Sequence, residues 1–488
     1  MSSGSLWRSA RPLVVGRAVS ALVGIALPAV LARTLDRSAY GTYKQVYLVA
    51  NLAMYSLQLG LAQSLFYFVP RAASEEERRG YIAQTQVALA ALGLATFLGL
   101  LAFAPFIARR FSDPQFADLA LPIALLTGAL LASSPLEISL TSRGKPQWSA
   151  FALIASDLTR VALMLGAVLT GHGLAGLVWG AALAASARWV ASLALSGGSL
   201  RARPRWRTVK VQLAYAVPFG LAVLLRQQQL QLHQVFVAAR ATPSLFALYA
   251  VGCMQIPIVS LLYAPVSETL QVRLAGLERS RDTGESARLF GEAVEKLALI
   301  FLPLAALLIA TARPGIELLF GAKYLAAAPV MRIAVLGVAV QSLPVDSVLK
   351  ARARTPTLLW TYAVKLAVTW PAIASGWALA GMAGVIAAHV ALEAVTKVGQ
   401  LAIVALDLNV KITRLFGGRA MLRTLGAAIA GGGLGLVVTS TLHAPFVACL
   451  VATPLTLCFS GLDYLLRRRH SHRRHAPVLA KASKSEAA

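Results

Sequence analysis

Apolar runs of about twenty residues recur along the whole 488-residue chain, with only short polar breaks between them. They fall near residues 13–33, 44–69, 81–104, 119–140, 149–170, 173–196, 211–238, 245–266, 292–311, 329–348, 357–375, 378–403, 420–442 and 444–466. At 1.5 Å per residue a helix of that length crosses a hydrocarbon layer of about 30 Å. A lipid-facing backbone must satisfy its own hydrogen bonds, so the pattern predicts an all-α polytopic membrane protein with about fourteen transmembrane helices. The longest stretch outside the runs, Ser267 to Gly291, is too short for a soluble domain. Composition agrees: 57% of residues are hydrophobic and 14% charged, and the mean hydropathy is +0.68. The first run continues to Ala32 and contains Arg17, which fits an uncleaved span rather than a signal peptide.

A net charge of +26 would point a soluble chain toward nucleic acid. In a polytopic chain basic loops fix orientation instead, so no nucleic-acid partner is called for. With the N-terminus in the cytoplasm, 30 of the 46 Lys and Arg fall on the cytoplasmic side and eight on the other. The bias alternates at every loop, which predicts cytoplasmic placement of both termini. Cys253, Cys449 and Cys458 show neither disulfide nor metal spacing. No phosphate-binding loop or nucleophile-base motif occurs, so neither a cofactor nor enzymatic chemistry is expected.

Leu31 to Tyr43 resembles Val237 to Tyr249 at an offset of 206 residues. Arg143 to Pro146 matches Ala353 to Pro356 at 210, and Leu174-Ala175-Gly176 matches Leu379-Ala380-Gly381 at 205. The order predicts two parallel six-helix lobes around a central cavity, 1–200 and 207–403, joined by a cytoplasmic linker at 201–206. An extra helix pair at 404–466 and a basic cytoplasmic tail at 467–488 follow. Two such lobes suit a transporter.

Eight cations remain inside the spans: Arg17, Arg160, Arg188, Arg226, Lys296, Arg332, Lys365 and Lys397. Each would cost about 2.5–3.5 kcal/mol facing lipid. Snorkelling is the competing explanation for Arg17, Lys296 and Arg332, near span ends. Pairing competes for Arg160, with Asp157 one turn earlier, and for Lys397, with Glu393 four residues before. Arg226 and Lys365 have no such local partner and are expected to face a cavity. In the seventh span Arg226, Gln229 and His233 share one face, with Gln227, Gln231 and Gln234 beside it. A wet lumen or interhelical hydrogen bonding would each satisfy that face. Tyr47, Asn51, Tyr55 and Gln58, and separately His389, Glu393, Lys397 and Gln400, form two further polar stripes. An excess of fixed cations suits an anionic substrate such as a diphosphate.

The segments Ala32-Arg33 through Asp36, Tyr40-Gly41-Thr42-Tyr43, Gly60-Leu61 and Phe68-Val69-Pro70-Arg71 resemble the opening helices of Wzx-type polysaccharide flippases. These belong to the multidrug/oligosaccharidyl-lipid/polysaccharide exporter superfamily, and the resemblance extends over nearly the whole chain. It implies a bacterial inner-membrane flippase that exports an undecaprenyl-diphosphate-linked sugar unit by alternating access, working beside polymerase and other polysaccharide-assembly proteins. Arg17 and Arg226 match cationic lumen positions of that family. Gln229, His233, Arg160, Arg332, Lys365 and Lys397 complete the candidate binding set, with Glu393 and Asp157 as coupling or charge partners. The chain departs from many relatives in carrying His233-Gln234 in place of an Asp-Arg pair, and Ala247-Leu248-Tyr249 in place of Gly-x-Tyr. A peptidoglycan-precursor flippase and a drug or cation antiporter are the rival readings; a structural scaffold would need no buried arginines.

Overall fold

A computed structural model of the chain describes residues 3–459 and 461, except 197, 198, 200, 201, 203–205, 278–281, 417, 443 and 460. Most of the expected linker at 201–206, the loop residues Arg279 and Arg281, and the basic tail 467–488 lie outside the described residues. Among those described, every regular element is helical, as a lipid environment requires.

Two units emerge from the packing, Met1–Ala250 and Val251–Ala488. The first holds α1 (Ser3–Thr34), α2 (Arg37–Leu57), α3 (Leu61–Phe68), α4 (Glu75–Arg110), α5 (Pro114–Asp118), α6 (Ala120–Ser133), α7 (Leu136–Ser142), α8 (Pro146–Leu169), α9 (Gly173–Ala194), α10 (Trp206–Ala238) and most of α11 (Pro243–Gly252). The second holds α12 (Pro257–Leu277), α13 (Thr283–Ala310), α14 (Ala312–Phe320), α15 (Ala328–Val340), α16 (Val345–Ala351), α17 (Thr355–Asp407), α18 (Ile412–Leu415), α19 (Gly418–Thr441) and α20 (Pro445–Phe459).

Among the described residues nine helical segments are long and apolar enough to cross a bilayer, and three bent pairs bring the number to twelve. One of the nine covers 52 residues of α17, roughly 78 Å of helix and more than twice the hydrocarbon thickness. It is two arms: Ala380 (φ −147°) and Gly381 (φ +55°) leave helical geometry and fold the chain back. Across that turn a Cβ on Gly384 would lie 1.9 Å from the Gly376 carbonyl oxygen, so only glycine admits this approach. Counting the arms separately and adding α20 gives the fourteen expected helices.

Ser267 to Gly291 differs from its expected loop. It forms the end of α12 and the start of α13. The Asp282 side chain caps α13 by accepting from the Glu285 amide at 2.9 Å, and Arg288 pairs with Glu285 and Glu292 on the following turns. Capping and i,i+3/i,i+4 pairing carry the helix beyond its apolar run.

Elements of the first unit recur in the second. A proline at residue 135 divides α6 from α7, and Pro344 likewise precedes α16, 209 residues on. Arg143 closes α7 and Arg352 closes α16 at the same offset, followed by left-handed backbone at Gly144 (φ +73°) and Ala353 (φ +53°). Gly173 and Gly381 share φ +55° at the last turn of this series. The 210-residue match of Arg143 to Ala353 is therefore one residue out of register, and the 205-residue match at Leu174 is three out. Pro146 opens α8 whereas Pro356 is the second residue of α17, so aligning the prolines shifted the turns.

Candidate functional site

The polar stretch of α10 sits just beyond a 45° bend between Trp206–Pro218 and Val223–Ala238. Proline inside a helix removes one backbone hydrogen bond and wedges the preceding turn open. At this bend α10 lies against another break, that of α2 and α3, which meet at 46°. The connecting residues Leu59 and Gly60 both have positive φ, and a Cβ on Gly220 would sit 2.2 Å from the Leu59 carbonyl carbon. Two interrupted spans thus touch backbone to backbone, and the polar residues start one turn further along.

Most of those residues are occupied by neighbours. Gln228 Nε2 donates to Ser56 Oγ at 2.5 Å, and Gln227 bonds the Tyr55 hydroxyl, both on α2. His233 Nδ1 lies 2.7 Å from the Tyr249 hydroxyl, with the ring edge-on to the tyrosine. Gln229 and His233 are buried, at 1% and 5% exposure, and both have partners. Interhelical bonding therefore accounts for this part of the face. Arg226 is different: its side chain is exposed and forms no hydrogen bond or ion pair with any described residue. Arg17, on α1, is also exposed and unpaired among the described residues.

On α8, Asp157 accepts from Arg160 Nη2 at 2.7 Å, the local pairing the sequence suggested. Arg160 also bonds the Tyr47 hydroxyl, which lies 3.6 Å from Met164 Sδ. Gln58, at the end of the same α2 stripe, accepts from Gln63 at 3.2 Å.

The second unit alters two expectations. Lys365 does not stand without a partner: its ammonium pairs with Glu393 across the two arms of α17. Lys397 in turn bonds Asp346 on α16 at 3.0 Å rather than Glu393 on its own helix. The fold-back at Gly381 brings Lys365 level with Glu393, and an opposing carboxylate at 3.0 Å outcompetes an i−4 neighbour. Tyr362 donates to the other Asp346 oxygen at 3.0 Å, and Gln400 to Thr361 Oγ1 at 3.0 Å. Arg332 is half-buried with an unpartnered Nε, and Lys296 is exposed.

One half-buried pair absent from the expected site set is Glu137 with Arg188. Both guanidinium Nη atoms reach its carboxylate at 2.6 Å, and Nε lies 3.3 Å from Ser133 Oγ. The signal was present in the sequence, because Pro135-Leu136-Glu137 recurs as Pro344-Val345-Asp346. The four carboxylates Glu137, Asp157, Asp346 and Glu393 are thus each held by a base. Among the described residues no three His, Cys, Asp or Glu side chains gather where they could hold a metal ion.

Sequence comparison with curated proteins finds no significant match. A family profile described as "Polysaccharide biosynthesis protein" matches residues 30–329. Among solved structures, the lipid II flippase MurJ in an inward closed conformation is similar over 93% of this chain and 98% of its own, with a TM-score of 0.70 and 13% identity. An outward-facing multidrug resistance MATE family transporter of the MOP superfamily is similar over 82% of this chain and 94% of its own, with a TM-score of 0.57 and 14% identity. A MOP superfamily transporter from Pyrococcus furiosus covers 82% of this chain and 95% of its own, at a TM-score of 0.55 and 12% identity. Sharing a fold with these multi-helix transporters, the chain belongs to the family of polysaccharide biosynthesis proteins.

Proposed function

We propose that this chain flips an undecaprenyl-diphosphate-linked oligosaccharide repeat unit across the bacterial inner membrane for surface or exopolysaccharide assembly. Both termini lie in the cytoplasm, and the transport proceeds by alternating access. The observation that carries the reading is Arg226. On a helix where Gln227, Gln228, Gln229 and His233 are already engaged, it offers a guanidinium uncommitted among the described residues, just past a bend. An unpaired cation at membrane depth persists where an anion or water receives it, and a diphosphate matches the guanidinium fork. Arg17 supplies a second such group from α1.

The fixed carboxylates argue against a cation or drug antiporter, since each of the four is already neutralised. A peptidoglycan-precursor flippase is the second reading, favoured by the fold shared with MurJ. Loss of that activity stops growth, whereas loss of a dispensable polymer leaves dividing cells without surface glycan. The deciding experiment deletes the gene and complements it with wild type or Arg226→Ala, measuring polymer at the surface, lipid-linked repeat units in the inner membrane, and protein level. Accumulated repeat units with normal protein level support the proposal; unchanged export removes Arg226 from it.

A further inference from the structure

Glu137 and Asp346 are 209 residues apart, and so are the bases that hold them, Arg188 and Lys397. The acid is the second residue of α7 in one unit and of α16 in the other, each just after a proline. The base lies mid-way along α9 in one and along the second arm of α17 in the other. The residue that closes α7 and α16 repeats the theme. Arg143 Nη1 donates to the Leu195 carbonyl at the end of α9 at 2.8 Å, and Arg352 pairs with Asp407 at the end of α17. Arg354 adds a second bond to Asp407 at 2.6 Å.

From this duplication we infer that Glu137–Arg188 and Asp346–Lys397 are one positioning device built twice, a clasp fixing the fourth helix of each half to the sixth. In both units the acid sits on the fourth helix and the base on the sixth, so the same use is served twice. A scaffold that must keep its shape while the molecule cycles has such a use in both. The chemistry also differs from that of a ligand. Each base is matched by a carboxylate with further hydrogen bonds, from the Arg188 guanidinium to Ser133 Oγ in one case and from Tyr362 to Asp346 in the other. Neither base is left with charge to offer an anion. Arg17 and Arg226 also stand 209 residues apart, but both are exposed and unpaired among the described residues, so it is the matched carboxylate and not duplication alone that marks the clasp. Lys397 therefore leaves the substrate-binding set and joins Arg188 as a positioning residue.

The inference goes beyond the proposed cargo and does not depend on it. The test uses the full chain in lipid nanodiscs and in cells. Single variants Arg188→Glu and Lys397→Asp place two like charges together and are expected to lower the melting temperature and to reduce export. The exchanged pairs, Glu137→Arg with Arg188→Glu and Asp346→Lys with Lys397→Asp, are expected to recover melting and export together. Undecaprenyl diphosphate in the nanodisc serves as the binding probe, and its affinity in the exchanged pairs should stay within twofold of wild type. Recovery of melting without recovery of export, or a tenfold loss of probe affinity in the Asp346/Lys397 exchange, would show that Lys397 touches cargo and overturn the inference. Failure of either exchange to recover melting overturns it as well. Because melting is read without cargo, a wrong clasp and a wrong cargo give different outcomes.

Discussion

Lys365 closes on Glu393 across the turn that folds α17 back on itself, so one ion pair ties the two arms of a single hairpin. Lys365 is buried at 5% exposure. Removing one partner of such a pair strands a charge in low dielectric, at a cost of about 3–5 kcal/mol. Glu393→Ala should therefore unfold at markedly lower temperature than wild type, while the double variant Glu393→Leu with Lys365→Met should recover most of the loss. Thermal unfolding of the purified protein in detergent checks both.

Arg226 should not tolerate its nearest chemical relative. Lysine keeps the charge but loses the planar fork that meets two phosphate oxygens at once. Arg226→Lys is expected to reach the membrane normally and to reduce export roughly tenfold, which corresponds to about 1.4 kcal/mol. Arg226→Ala should abolish export. Measurement of initial export rates at matched protein level separates the three forms.

The contact between α10 and the turn after α2 gives a steric prediction. A methyl group at Gly220 would fall 2.2 Å from the Leu59 carbonyl carbon, a backbone atom that cannot rotate away. Gly220→Ala is expected to cost about 1–3 kcal/mol through forced displacement. Gly80→Ala, in α4 with no atom within 4 Å of the added methyl, should instead be neutral or stabilising by up to about 1 kcal/mol. The melting temperature should fall for Gly220→Ala and hold or rise for Gly80→Ala.

A turn outside the spans carries a pH signature. Asp113 accepts from Thr42 Oγ1 at 2.5 Å and from the Gln115 amide at 3.1 Å, yet burial outweighs these bonds and raises its carboxyl above the ordinary value of 3.8. The native state then keeps its proton to higher pH than the unfolded chain. Stability should fall as pH rises from 3.8 through the native titration and level off above it. Asp113→Asn should flatten that segment of the melting-temperature profile while retaining the Thr42 bond.

Hydropathy made the spans legible because lipid imposes one simple demand over about twenty residues at a time. The breaks within them were not legible. Leu59 takes φ +45° with nothing in its side chain to announce it, and the bend before Pro257 interrupts an otherwise apolar run. Pairing was visible only along one helix. Asp157 with Arg160 was found because it spans three residues, whereas Lys365 met a partner 28 positions away through a turn the sequence does not mark. Lys397 was given the neighbour on its own helix for the same reason. The duplicated acids were hidden differently: aligning Pro146 with Pro356 shifted the register by one and set Glu137 beside Ser347 instead of Asp346.

Where Gly220 rests on Leu59 and Gly60, no side chain mediates the contact, so selection has nothing to adjust there except the presence of a side chain at all. In evolutionary terms bulk at position 220 is constrained by what stands at 59 and 60. A lineage that admits bulk at 220 must separate both interrupted spans, while the left-handed backbone at 60 keeps its own reason for glycine. Homologous chains with a small residue at 220 should carry glycine at 60 as well, while the glutamines and the histidine further along α10 drift independently.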